Sequence, residues 1–281
     1  MHDRIVRFAV LTLMFGCSAT AFAQALPTTQ PALLTIYREE VKLGRSADHE
    51  KHEMGWPAAF EKANSPYYYL AMESMTGPAE AWYISPFESH AAIADSLKRE
   101  ATDPVLAAEL ARLNRADAEL LNSLRTYQAR ARLDLSMGSF PDLAKMRFWE
   151  ITWFRVRPGH EASFEAAAKA YAAAAKRGAP DTRFRVYEVI AGGLGPTYLV
   201  FSSVASYAEF DQLMAAGDKV MQSFSAEEGA TMQRFFKEGC VNFETNRFKL
   251  NPAMSYVAKE TRAQDPAFWM PKKPAAKTSQ P

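Results

Sequence analysis

The sequence predicts an α+β protein in which two successive βαββαβ units close one barrel. Three observations predict it: an internal repeat, the same order of strand-like and helix-like segments in both copies, and a strand with large apolar groups on both faces. Shifting the chain by 115 residues superposes Ile36 on Ile151, Val41 on Val156, Gly44 on Gly159, Glu73 on Glu188, Gly77 on Gly192 and Tyr83 on Tyr198. Ten identities fall within about 50 positions, where roughly three or four are expected from composition.

The first 23 residues stand apart from the fold. Arg4 and Arg7 make a basic start, Phe8 to Phe15 is apolar, and Ala21-Phe22-Ala23 supplies small residues before Gln24. That is the layout of a secretory signal, with an apolar run too short to span a bilayer. It predicts a periplasmic or secreted protein. Cleavage before Cys17 would instead leave a lipidated cysteine, but Met14-Phe15 lacks the leucine and small residue that usually precede such a site. Cleavage after Ala23 leaves Cys240 alone, so no internal disulfide is expected.

The elements then follow in order. Leu33 to Val41 reads as the first strand, and Ala47 to Lys62 as its helix. Tyr67 to Met75 and Trp82 to Ser85 form a hairpin around Thr76-Gly77-Pro78. Helices are expected at His90 to Glu100 and Pro104 to Leu124, before a last strand at Thr126 to Leu133. In the second copy, Phe148 to Val156 is rich in aromatic and β-branched residues, and Glu161 to Arg177 is a run of strong helix formers. Arg183 to Ala191 and Thr197 to Ser202 make the hairpin. Ser206 to Ala216 and Ala226 to Glu238 are helical, and Asn242 to Leu250 is the closing strand. The two units span 33–136 and 146–260, and the Pro/Lys-rich 271–281 is expected to be a disordered tail.

Burial decides how the units assemble. Trp149, Ile151 and Trp153 share one face of their strand, and Phe148, Phe154 and Val156 share the other. A sheet with one wet face would alternate apolar and polar residues. Helices should therefore cover one side and a second sheet the other. Two tandem ferredoxin-like βαββαβ repeats facing each other resemble the dimeric α/β-barrel superfamily, which includes antibiotic-biosynthesis-type monooxygenases, EthD-like and NIPSNAP-type proteins. The resemblance rests on element order over about 33–260. It implies a barrel closed within one chain, acting as a monomer with an internal pseudo-dimer or as a homodimer. His49–Pro57, Phe248–Val257 and Asp265–Lys272 also resemble segments of secreted bacterial barrel proteins, a likeness that brings no catalytic residue with it.

Composition limits the function. Lys+Arg number 33 against Asp+Glu 32, so nothing attracts the chain to nucleic acid or an anionic membrane. After signal cleavage no later stretch is long and apolar enough to form an integral membrane segment. Phosphate-loop, dinucleotide, Cys-x-x-Cys and Gly-x-Ser-x-Gly signatures are absent from the sequence.

The candidate site lies in the first copy. His49 and His52 are three apart on one helix, and the repeat sets His49 against Phe164, on the apolar face of the second copy's helix. His49, His52 or Glu53, Trp56 and Phe60 should then face the sheet. Glu73 and Glu188 share strand parity with apolar residues, so each needs a hydrogen bond, an ion pair or a proton. An arginine partner is the structural reading of that pair. Glu73, His49 and His52 are the candidate catalytic groups, with Glu73 or a histidine as general base; Trp56, Tyr69, Trp82, His90 and Glu188 are candidate ligand contacts. No third metal ligand is evident, so no metal site is assigned, and the histidines otherwise read as hydrogen-bonded at the helix edge. The resemblance allows a haem, with His90 on a helix facing the pocket, but no cofactor is required. The expected ligand is a small apolar or aromatic molecule, bound or transformed without a cofactor. A filled, non-enzymatic scaffold that binds a partner is the alternative.

Overall fold

The computed structural model describes residues 26–270. The expected export signal, Cys17 and the expected 271–281 tail lie outside the described residues. Eight strands are present: β1 (Leu33–Val41), β2 (Leu70–Ser74), β3 (Glu80–Phe87), β4 (Leu121–Ala131), β5 (Phe148–Val156), β6 (Arg185–Ala191), β7 (Thr197–Val204) and β8 (Cys240–Leu250). The helices are α1 (Ser46–Glu53), α2 (Gly55–Lys62), α3 (His90–Thr102), α4 (Pro104–Asp117), α5 (Glu161–Gly178), α6 (Glu209–Gln222), α7 (Ala226–Arg234), α8 (Lys259–Gln264) and α9 (Pro266–Trp269).

The strands close a barrel in the order β1-β3-β2-β8-β5-β7-β6-β4. Each half contributes the same order, β4-β1-β3-β2 and then β8-β5-β7-β6, and all pairings are antiparallel. The seams are β2 against β8, where Met72 faces Leu250, and β4 against β6, where Ala129 faces Val189. Alternation along each strand sends one set of side chains inward and the other to the helices. Ile36, Met72, Trp149, Ile151, Leu199 and Phe248 fill the barrel interior. Val156, Phe164, Val186, Tyr198 and the alanines of α5 make the outer core of the second half. Both faces of β5 are thus covered, as its sequence requires. Residues 265–269 close one barrel end: Trp269 joins the interior cluster and donates to the Ala144 carbonyl at 3.3 Å.

Several expected boundaries move, each for a local reason. The helix expected at Ala47 to Lys62 is two helices, because Pro57 cannot donate to the Glu53 carbonyl one turn back. Gly55 then lets α2 approach α4, since a Cβ there would meet Leu113 Cδ2 at 2.7 Å. The helix expected to reach Leu124 ends at Asp117. Its last residues join β4 instead, where Ser123 pairs with Glu40 and Leu124 with Glu39 of β1, and ladder pairing overrides their helix propensity. In the second half, the expected Ser206 start shifts to Glu209, whose carboxylate accepts from the Ser206 amide and hydroxyl. The next helix ends at Arg234 in a π turn, Phe235–Gly239.

The spacing between equivalent strands grows along the chain. It is 115 residues for β1 and β5, 117 for β3 and β7, and 119 for β4 and β8. The two extra residues lie between the paired Glu188 and Tyr198, where the first half has the paired Glu73 and Ala81, so the Tyr83/Tyr198 identity is out of structural register: Tyr198 corresponds to Ala81.

Candidate functional site

The helices of each half stand off from the sheet and leave a cavity, one per half. The first-half cavity, about 220 Å³, lies between β1, β3 and the helices α2 to α4. Its walls are mostly apolar and aromatic, with Trp56, Phe60, Phe87 and Ile93 among them. One corner is polar, where Glu39, Glu53, Tyr69 and Tyr83 converge. The second-half cavity, about 290 Å³, lies against β5 and α5 and is bounded by Phe154, Phe164, Ala168, Tyr171 and Phe236.

Behind the polar corner sits a cluster that sequence reasoning found only in part. Glu39, His49, Glu53 and Asp117 are all buried, and one donor atom from each lies within 4.8 Å of the others. Three elements deliver them. Glu39 is on the helix-facing side of β1, beside Thr35 and Tyr37; His49 and Glu53 lie one turn apart on α1; Asp117 ends α4. His49 Nε2 is 3.0 Å from Glu39 Oε2, and Trp56 Nε1 donates to Glu53 Oε1 at 3.1 Å. Among the described residues, only histidines stand within ion-pair distance of these three carboxyl groups: His49 for Glu39, and His52, at 3.9 and 4.0 Å, for Glu53 and Asp117.

Several groups here are unsatisfied. Asp117 Oδ1 has no hydrogen-bond partner although the residue is 4% exposed. The Tyr69 and Tyr83 hydroxyls are buried and equally without a formed hydrogen bond, Tyr83 standing beside both glutamates. Burial, then the neighbouring charge of Asp117, pushes the Glu39 carboxyl up to about 8. Burial, then Glu39 and Asp117, does the same to Glu53. Burial also raises Asp117, against the pull of His49 and His52, and carries both tyrosines well above 10.

The sequence candidates separate. His49, Glu53, Trp56 and Tyr69 come together at the corner. His52 turns aside, its Nε2 3.1 Å from the Leu113 carbonyl of α4. Glu73 lies outside the cavity and accepts from Asn251 Nδ2 at 2.9 Å. Trp82 points the other way: it belongs to the barrel interior and donates to Glu80 at 2.9 Å, next to the Arg38–Glu80 ion pair. Strand parity forces this, because Trp82 alternates with Tyr83. His90 is exposed at the start of α3, not in a pocket wall. Glu188 is in the other half, ion-paired with Arg130 at 2.8 Å and Arg132 at 3.4 Å.

A haem is poorly matched to these residues. His49 and His52 are engaged, His90 is exposed, and His160 stands at the N-terminus of α5; none lines either cavity. Glu39 and Asp117 were the residues missed. Glu39 had a signal, since the 115-residue shift sets it against Phe154. Asp117 had none, because its partners are distant in sequence.

The fold is that of the dimeric α/β barrels, closed here by one chain. No protein-family model and no curated protein sequence matches the chain. Among solved structures it is similar to a provisionally assigned monooxygenase from Fusobacterium nucleatum subsp. nucleatum, at 8% identity over 78% of this chain and 92% of that one, with a TM-score of 0.51. It is also similar to an anthrone oxidase-like protein, at 13% identity over 81% of this chain and 94% of that one, with a TM-score of 0.52. At such identities the likeness is one of fold.

Proposed function

We propose that this protein is exported and binds a compact aromatic molecule in the first-half cavity, its polar end against the Glu39–Glu53–Tyr83 corner. The observation that carries the reading is the cavity itself: apolar walls with one convergent polar corner are the usual form of a small-molecule site. Size sets the ligand class. A cavity of about 150 Å³ accommodates benzene, so about 220 Å³ suits a single substituted ring. Export follows from the layout of Met1 to Ala23 and agrees with a mature chain that keeps one cysteine. The barrel closes within one chain, which supports a monomer with an internal pseudo-dimer over a homodimer. Transformation of the ligand without a cofactor is the enzymatic form of the same reading, since groups that exchange protons face the bound ring.

The test is a thermal shift with phenol and its alkyl derivatives as probes. Saturable stabilisation, with quenching of Trp56 fluorescence, is expected. Ser85→Phe, which projects a ring into the cavity, should abolish it, and Ala168→Phe in the other half should not. Stabilisation that survives Ser85→Phe, or no stabilisation of the wild type, would overturn the reading.

A further inference from the structure

The two halves differ most at one place. Glu39, His49 and Glu53 take the positions that Phe154, Phe164 and Ala168 take at the constant β1/β5 spacing. Asp117 precedes β4 by four residues, as Phe236 precedes β8. In the second half these positions form an aromatic cluster, with Phe154 and Phe164 centroids 5.6 Å apart and Phe154 and Phe236 centroids 6.5 Å apart. The fold therefore packs well at this place with hydrocarbon. In the first half it buries three carboxyl groups and an imidazole, an arrangement that costs free energy unless a charge offsets it.

No Lys or Arg ion-pairs with any of the three carboxyl groups among the described residues. Two unpartnered groups point to what would offset them. Asp117 Oδ1, in a residue 4% exposed, lacks any partner, and the Tyr83 hydroxyl, in a residue 7% exposed, stands by the glutamates without a formed bond. The 3.0 Å between His49 Nε2 and Glu39 Oε2 is the separation of adjacent ligands on one ion. Side-chain rotation that closes the remaining separations, all within 4.8 Å, toward the roughly 3.3 Å edge of a tetrahedral shell completes it, a movement of up to about 1.5 Å.

We propose that Glu39, His49, Glu53 and Asp117 bind one divalent first-row transition-metal ion. One nitrogen and three oxygen donors suit Mn²⁺, Fe²⁺ or Zn²⁺; Ca²⁺ asks for six to eight oxygens and softer ions for sulfur. His52, bonded to the Leu113 carbonyl and about 4 Å from Glu53 and Asp117, is an outer positioning residue. Because Glu39 and Glu53 also line the cavity, the ion would form its polar wall and favour ring ligands bearing an oxygen donor.

The test titrates chelator-treated full-length protein with Mn²⁺ or Zn²⁺ alone. One ion per chain is expected, with a rise in melting temperature. Glu39→Gln and Asp117→Asn should each weaken binding at least tenfold, while Glu109→Gln on the exposed face of α4 should not. The variant E39F/H49F/E53A/D117F copies the second half and should fold without binding metal. Should single variants unfold, pulsed electron paramagnetic resonance of wild-type protein with Mn²⁺ still decides, through coupling to one histidine nitrogen. Absence of one-to-one binding, retention of it in Glu39→Gln and Asp117→Asn, or absence of the nitrogen coupling overturns the proposal. Ser85→Phe separates the two readings: it should block phenols and leave the ion. Metal binding without phenol binding sinks only the ligand reading; phenol binding without metal sinks only this one.

Discussion

Glu39 and Phe154 occupy the same position on the first strand of their half-barrels, and both face the helices. The carboxylate meets His49 at 3.0 Å; the ring meets Phe164, the residue in place of His49, at 5.6 Å. One backbone position thus supports a polar cluster in one half and an aromatic cluster in the other. The folding cost of the first cluster is not required by the barrel.

Exchanging these residues should give opposite results. Phe164 is 4% exposed and stacks on Tyr198 at 4.0 Å, so Phe164→His removes packing and buries an unpartnered imidazole. It should cost about 3 kcal/mol. In metal-free protein, His49→Phe combined with Glu39→Phe should cost less than 1 kcal/mol or stabilise, because a polar pair is exchanged for hydrocarbon. Urea unfolding of both variants checks this, and equal losses would mean that the polar cluster contributes to stability as the aromatic one does.

Two glycines separate backbone strain from steric contact. Gly44 has φ +79° with nothing within 4 Å of an added Cβ, so Gly44→Ala should cost about 1 kcal/mol from the left-handed backbone alone. Gly192, at φ +85°, would also drive its Cβ into the Thr126 carbonyl oxygen of β4. Gly192→Ala should therefore cost at least about 2 kcal/mol more, and it should loosen the β4–β6 seam. Denaturant midpoints, with hydrogen exchange at Gln128 and Ala129, report both effects.

What was legible in the sequence follows from how local each cause is. The bounds of β1 and β5 could be read directly, because alternation on two covered faces leaves no competing pattern. The end of α4 could not, because the helix formers Ala118 to Leu121 continue its pattern, while a strand some 80 residues earlier recruits Leu121 onward. In the candidate site, His49 and Glu53 were visible as polar residues on an otherwise apolar helix face. Glu39 was visible only through its repeat partner. Asp117 and the orphaned Tyr83 hydroxyl depend on three elements meeting, which no spacing along the chain encodes.

Glu188 provides a test of a structural ion pair. Arg132 bonds Asp134 at 2.8 Å and Glu165 at 2.7 Å and reaches Glu188 at 3.4 Å, tying α5 to the β4–β6 seam. Glu188→Gln should cost about 1 kcal/mol or less, since the pair is partly solvated, and should leave phenol binding unchanged. A loss of phenol binding in that variant would give Glu188 a role in the ligand site that its position in the other half does not suggest.

The same arginine sets a pH dependence. Its hydrogen bond, and next its charge, hold the Asp134 carboxyl below the usual carboxylate range. A folded-state value below the unfolded one means that the group stabilises the fold above about pH 4. That contribution is lost as the pH falls through the depressed folded value. Asp134 is largely solvent-exposed, so the effect is small. Arg132→Ala should therefore lower stability at pH 7, and the variant should lose less than the wild type between pH 5 and pH 3. Parallel stability curves for the two proteins over that range would mean that the ion pair carries no linked proton.

Cys240 opens β8 as a half-buried thiol, and burial pushes it above its ordinary value of 9. The thiolate is the reacting species, and less than about 5% of it exists at pH 7.5 for such a group. Iodoacetamide should therefore modify the folded protein more slowly than the unfolded chain, and the rate should climb until the pH exceeds 9. Alkylation should also weaken the outer core, because Cys240 packs against the cluster that includes Val156 and Phe235. Mass spectrometry of a timed alkylation series measures the first effect, and the melting temperature of the alkylated product measures the second. Rapid modification at pH 7.5 would show that this strand end opens to solvent and that β8 frays from β5 at the Val156–Cys240 pair.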